Sequence, residues 1–292
     1  MNCVRSRVRS ILTVFSSGLF ITSCSSEFSQ QLPAYNLTVN GVERTYNLFV
    51  PTNTSSTAMP LLLAAHGGGG RGFTFPQQNR FEQLAEQEGF LIAFPQAKLL
   101  PGNEGEWQLN TKDESRQDMD YIEAVIDDIG SRHAVDSTRV YATGYSLGSM
   151  FTYELACQLS SRFAAIASFA GTMPVSPSSC TPQIKVPIMH IHGFEDGIIS
   201  YEETWGWKSW DDVGTMMDIP SLVQFWKDKY NCENESQMNS ESSQHIVHDI
   251  CDDNVRVEHH RLDNVGHSWP ESVNGRSTHE VIWTFLNEFS RS

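Results

Sequence analysis

Residues 139–150 read RVYATGYSLGSM, an apolar run rich in β-formers that breaks into Gly144-Tyr145-Ser146-Leu147-Gly148 and then into a helical pattern. Two glycines around a serine between a strand and a helix allow a turn sharp enough to leave the hydroxyl exposed at the strand's end. This strand–turn–helix context separates the motif from a chance G-x-S-x-G. It also places the segment in a parallel βαβ sheet, whose strands are continuous apolar runs because both faces are covered.

The neighbouring sequence carries the same rhythm. PLLLAAH (60–66) is followed by a glycine loop and a helix near 79–88, and FLIAF (90–94) is the next strand. DMDYIEAVIDDIGSRH (118–133) sets Tyr121, Ile122, Val125, Ile126 and Ile129 on one helical face. Beyond the motif come a helix over 147–159, strands in FAAIASFAG and PIMHIHG, a helix near 221–230, the strand VRVEHHRL and a terminal helix near 278–289. At the N-terminal end, YNLTVNGVERTYNLFVP (35–51) has two β-rich runs around Asn40-Gly41, a hairpin signal. The fold class read from this pattern is α/β, a mostly parallel twisted sheet with helices on both faces and an antiparallel N-terminal hairpin.

A serine hydroxyl needs a histidine to take its proton and a carboxylate to orient that histidine. His267, in the loop NVGHSWP after the last strand, is the candidate base; His245, His248, His259, His260 and His279 lie in strands, a polar stretch or a helix start and have structural readings. Asp196, just past the strand PIMHIH, is the candidate acid, where sites gather in open α/β sheets. Glu195 is its neighbour, pointing the other way in an extended segment, and Asp211 and Asp212 are further alternatives. The two N–H donors for a developing oxyanion are expected from Leu147 and from His66-Gly67-Gly68-Gly69-Gly70, with Gly68 preferred and Gly69 second. That glycine run is followed by Arg71-Gly72 rather than Lys-Ser or Lys-Thr, so it is no phosphate loop.

At 292 residues, with 39% hydrophobic and 19% charged residues, the chain suits one large core. Arg5, Arg7 and Arg9 precede an apolar run over 11–21 that is too short to span a bilayer, and Ile21-Thr22-Ser23-Cys24 matches a lipoprotein cleavage site. The expected organisation is a signal over 1–24 with Cys24 lipidated, a tether over 25–33, and one catalytic domain over 34–292. A tryptophan-rich loop or lid occupies 201–220. Ser25 and Ser26 after the cysteine, by resemblance to known lipoproteins, imply outer-membrane sorting, with secreted or periplasmic placement as the alternative. The formal charge of −15 argues against nucleic acid, acidic polymers and anionic lipid surfaces as partners. Monomer is the default state.

Cys157, Cys180, Cys232 and Cys251 remain in the exported part, an even number that suggests disulfides. Of three possible connectivities, Cys157–Cys180 with Cys232–Cys251 closes two local loops. No cysteine pair has metal-knuckle spacing, so no metal centre is read from the sequence, and serine acyl transfer requires no cofactor. Trp107, Trp205, Trp207, Trp210 and Trp269 are candidates for stacking on a sugar or aromatic ring, with core or hairpin packing as the alternative for each.

The set LFVP, AAHGGGG, GYSLGSM, FAAIASFAG, MHIHGFEDGIISY and VGHSWP resembles the extracellular polyhydroxybutyrate-depolymerase and feruloyl or acetylxylan esterase group of the α/β hydrolases, over 35–289. The resemblance implies the α/β-hydrolase fold, ester hydrolysis, and nucleophile, acid and base at Ser146, Asp196 and His267. Two departures stand out: many relatives carry a cysteine where this chain has Gly68, and the tryptophan-rich stretch is longer. The substrates implied are feruloyl or acetyl esters of plant polysaccharide, or polyhydroxyalkanoate chains. A peptidase on the same fold and a non-catalytic carbohydrate-binding surface protein are the competing readings.

Overall fold

The strand 59–65 is buried along its whole length, and its alternating side chains feed two separate cores. Leu61, Leu63 and Ala65 face one and Leu62 and Ala64 the other, which requires helices on both sides of the sheet. The computed structural model describes residues 32–52, 57–99, 105–109, 116–177, 180–206 and 214–291. The signal, the lipobox with Cys24, nearly all of the tether, Trp207, Trp210, Asp211 and Asp212 lie outside them.

Among the described residues ten strands form the main sheet: β1 (Ala34–Val39), β2 (Val42–Phe49), β3 (Met59–Ala65), β4 (Leu91–Pro95), β5 (Val135–Tyr145), β6 (Ala165–Phe169), β7 (Ile188–Gly193), β8 (Asn234–Asn239), β9 (Ser243–Asp249) and β10 (Val257–Leu262). Their order is β1-β2-β4-β3-β5-β6-β7-β10-β9-β8. The six central strands, from β4 to β10, run parallel. The expected hairpin β1–β2 flanks one edge, with Asn40 and Gly41 both at positive φ in its turn.

A second antiparallel hairpin, β8–β9, flanks the other edge and was not expected from the sequence. Every residue of β8 is exposed, so NESQMN carries no alternation to read. The disulfide Cys232–Cys251 closes the base of this hairpin, and Cys157–Cys180 ties the end of the helix after Ser146 to the following loop. Loops of about 20 residues closed in this way stabilise by about 3 kcal/mol each. The bonds also suit an oxidising compartment.

Among the described residues five α-helices cover the faces: α1 (Gln78–Glu88), α2 (Gln117–Arg132), α3 (Leu147–Gln158), α4 (Ile219–Lys229) and α5 (Thr278–Leu286). The predicted stripe of α2 is buried with the β3 residues Leu61 and Leu63, together with α3 and α4. Phe81 and Leu84 of α1 join Ile282, Trp283 and Phe285 of α5 on the opposite face. Each such side chain, fully buried, contributes about 1.5–3 kcal/mol. Helix α4 starts two residues before the expected Ser221, because Asp218 accepts the Ser221 N–H at 2.8 Å and Pro220 needs no partner in a first turn. Within the stretch expected as a loop or lid, Trp205–Gly206 pairs with Thr215–Met216. Among the described residues no helix is long and apolar enough to cross a membrane.

Several histidines are buried in this architecture and held neutral by it. Burial pushes His66 and His279 down to about 4, and His259 and His260 down to about 3. In the unfolded chain each titrates near 6.5, so above that pH both states are neutral and the full stability is present. As pH falls below 6.5 the unfolded chain takes up protons first, and stability is lost down to the folded values. Chemical denaturation should therefore give a flat midpoint from pH 8 to 7 and a loss of about 2 kcal/mol or more between pH 7 and 5. An unchanged midpoint at pH 5 would mean that these histidines are not excluded from solvent.

Candidate active site

Ser146 sits at φ 55° and ψ −121°, between the end of β5 and the first residue of α3. Left-handed φ is costly for a side-chain-bearing residue, and the surroundings hold it there. The Ser146 N–H donates to Phe169 O at 2.9 Å, and its carbonyl accepts from Met150 N at 3.1 Å. A Cβ on Gly148 would lie 2.0 Å from Ala65 O, and one on Gly144 would lie 2.1 Å from Gly148 O. Both glycines of the motif are thus required by contact with backbone, while neither has a positive φ. The sequence reading attributed them to the turn itself; the close approach of α3 to β3 at Gly148 and to β5 at Gly144 is the stronger cause.

The structure brings His267 to this serine across a sequence separation of 121 residues, and Asp196 to His267 across 71. His267 Nε2 lies 2.9 Å from Ser146 Oγ, and His267 Nδ1 lies 2.7 Å from Asp196 Oδ2. An ionised carboxylate can only accept, so Nδ1 carries the proton and Nε2 is free to accept from the serine hydroxyl. Asp196 Oδ1 accepts from the backbone N–H groups of Ile198 and Ile199 at 2.9 and 2.8 Å. His192 Nε2 stands 3.3 Å from Oδ2. Burial alone would raise the Asp196 carboxyl, but hydrogen bonds from His192, His267, Ile199 and Ile198 outweigh it and hold the group well below the usual range. Glu195 is exposed beside it, in a turn over 194–195 and not in the extended segment expected from the sequence.

The loop that carries His267 is anchored at two points. A Cβ on Gly193 would meet Val265 O at 2.2 Å, so the chain after β10 crosses the end of β7 in direct contact, and Glu195 N donates to Val265 O at 3.0 Å. Tyr145, the residue before the serine, donates its hydroxyl to His267 O at 3.0 Å. Sequence reasoning missed Tyr145, since a variable position of G-x-S-x-G gives no hint of that contact. The rival histidines are engaged elsewhere: His259 with Tyr201 OH and His190 O, His245 with Glu258, and His279 edge-on to Phe81.

Gly67 and Gly68 lie against the serine turn. A Cβ on Gly67 would come within 3.3 Å of Ser146 Cβ, and one on Gly68 within 3.5 Å of the Leu147 side chain. A Cβ on Gly69, at φ 66°, would meet nothing within 4 Å. Of the two candidates, Gly68 is the one beside Leu147. His66 fixes this loop from beneath. Its Nδ1 donates to Gly67 O at 2.8 Å, and its Nε2 accepts from Ala97 N at 3.1 Å, an arrangement that requires the neutral ring favoured by burial.

The tryptophans divide. Trp107 is 1% exposed, stacked on Phe151 at 4.3 Å, and its indole N–H donates to His66 O at 2.9 Å. It has no face open to a substrate, so of its two readings the structure takes core packing over stacking on a substrate, and Trp107 supports the glycine loop. Trp269 is half-buried among Phe75, Phe169 and Tyr145, two residues from His267. Trp205 is half-buried and packs against the core on the α2–α4 side.

Sheet order, sharp serine turn and the position of the histidine loop define the α/β-hydrolase fold. Comparison with known proteins agrees. The model of the Dienelactone hydrolase family matches residues 104–209, a span that holds Ser146 and Asp196 and ends before His267. The chain is 27% identical over 86% of its length to a bifunctional acetylxylan esterase/xylanase of Neocallimastix patriciarum, covering 34% of that protein. It is 24% identical over 81% of its length to feruloyl esterase B of Piromyces equi, covering 43% of it. The chain thus spans a third to a little under half of these relatives. Among solved structures, acetyl xylan esterase from Aspergillus awamori superposes with a TM-score of 0.63 at 17% identity, over 87% of this chain and 99% of that one. A thermostable esterase gives 0.58 at 19% identity, over 89% of this chain and 63% of that one.

Proposed function

We propose that this protein is an exported serine carboxylesterase that removes acetyl or feruloyl groups from plant polysaccharide. The observation that carries the reading is the Ser146–His267–Asp196 chain, at 2.9 and 2.7 Å, beside an open glycine loop. Ser146 Oγ attacks the ester carbonyl as His267 Nε2 takes its proton. The N–H groups of Leu147 and Gly68 receive the negative charge that develops on the carbonyl oxygen. The carbonyl–alkoxy bond breaks, His267 returns the proton to the leaving alcohol, and water activated by the same ring releases the acid from the serine. Asp196, kept ionised, stabilises the imidazolium between the two transfers.

The substrate class rests on the relatives named for acetylxylan and feruloyl ester hydrolysis. The two disulfides and the signal-like segment ending at Cys24 support export, with lipid attachment at Cys24 as its anchor. The purified chain should release acetate from acetylated xylan or ferulate from methyl ferulate. It should also take up one equivalent of a fluorophosphonate, mapped to Ser146 by peptide mass. Preference for polyhydroxybutyrate oligomers would move the substrate to polyesters. Cleavage of peptides without esters, or labelling away from Ser146, would sink the proposal.

A further inference from the structure

Strand periodicity and register assemble a second group of chemically active side chains at the far edge of the sheet. Glu258 and His260 are two residues apart on β10 and so share a face, and His245 of β9 stands directly opposite His260. The two imidazoles stack at 3.9 Å. Glu258 Oε2 lies 3.1 Å from His245 Nε2 and 3.9 Å from His260 Nε2. Arg256 holds the other carboxylate oxygen, which leaves Oε2 turned toward the histidines. All three side chains place a donor atom within 4.8 Å of the others.

His260 is the telling member. It is 5% exposed, and neither ring nitrogen has a hydrogen-bond partner among the described residues. A buried polar ring without partners is a cost that the fold itself does not explain.

We propose that His245, His260 and Glu258 form a binding site for a divalent transition-metal ion, with zinc as the reference ion. Two imidazoles and one carboxylate suit zinc, copper or nickel, whereas calcium and magnesium call for oxygen ligands. Bonds of about 2.0–2.2 Å in a tetrahedron set ligand atoms about 3.3 Å apart, close to the 3.1 and 3.9 Å from Glu258 Oε2 to the two rings, and to share an ion the stacked rings would have to turn out of their parallel planes. The half-exposed edge at His245 leaves a fourth position for water. The ion would cross-link β9 to β10, stapling the polar hairpin from the side opposite Cys232–Cys251. Sequence inspection for cysteine knuckles and helical histidine pairs passes over this set, because only the strand register brings His245 to Glu258 and His260.

The test uses the full chain without a histidine tag, stripped with EDTA and titrated with zinc chloride by calorimetry at pH 7.5. One equivalent should bind, and zinc should raise the melting temperature of the parent. His260→Phe and Glu258→Gln should each weaken binding about tenfold or more, since even outer partners of metal ligands cost about 10- to 100-fold. Both should leave ester turnover unchanged. Copper bound to the parent should show superhyperfine coupling to two nitrogens, a readout that stands even if a variant fails to fold. No binding at 1 mM zinc (~1 mM, far above any structural site), unchanged affinity in both variants, or loss of binding in His267→Ala instead would overturn the proposal.

Discussion

The Ser146→Ala chain is expected to fold like the parent and to turn over p-nitrophenyl acetate with kcat lower by about 10⁴- to 10⁶-fold, with KM little changed. Alanine removes only Oγ, the atom 2.9 Å from His267 Nε2, and leaves the Cβ that the turn already accommodates. The φ of 55° costs alanine what it costs serine, so stability stays near the parent's. Glycine loop and binding surface remain, and the residual rate over water is theirs. Asp196→Asn tests the orienting role by a different route. An amide that turns its NH₂ toward His267 Nδ1 forces that nitrogen to accept, which puts the proton on Nε2 and blocks transfer from the serine. A loss of about 10⁴-fold is the magnitude for such a tautomer reversal. Stopped-flow and steady-state kinetics with circular dichroism of each variant check both. A Ser146→Ala rate within tenfold of the parent (~10-fold, too small for loss of a nucleophile) would remove Ser146 from the chemistry.

The parts of this architecture that bury apolar surface could be read in the sequence. Continuous runs such as PLLLAAH and FLIAF can be satisfied only in a two-sided sheet, and the G-x-S-x-G turn fixes the strand–helix junction. His267 and Asp196 were legible because each follows a strand at its C-terminal end, where loops of a parallel sheet converge. The hairpin β8–β9 was not legible: the wholly exposed β8 is specified by the disulfide beneath it and by pairing to β9, neither of which leaves a periodic trace. For Trp107 the sequence left substrate stacking and core packing both open, for a related reason. Its partner Phe151 lies about 40 positions away, beyond any local pattern, and only the fold shows the two rings stacked. His66 and Tyr145 were visible only as letters of motifs, and their roles in holding the glycine loop and the histidine loop are tertiary facts.

The glycines around the serine allow a prediction in which fold and chemistry meet. Gly148→Ala is expected to cost more than about 4 kcal/mol, or to prevent accumulation of folded protein. The added Cβ would stand 2.0 Å from Ala65 O and 2.4 Å from His66 O. Both atoms belong to backbone at the end of β3, a strand hydrogen-bonded on both sides, so neither can move aside as a flexible side chain would. The helix α3 would have to withdraw instead, taking Leu147 N–H away from Gly68 and the serine away from His267. Gly130→Ala is the matched comparison: Gly130 is an exposed position of α2 where a Cβ meets nothing within 4 Å. There the change should stabilise by about 0.5–1 kcal/mol, through the lower backbone entropy of alanine. Urea denaturation of the two variants beside the parent separates the cases. If Gly148→Ala unfolded within about 1 kcal/mol of the parent, which is the scale of an ordinary substitution, the close approach of α3 to β3 would be wrong. With it would go the placement of both N–H donors at the serine.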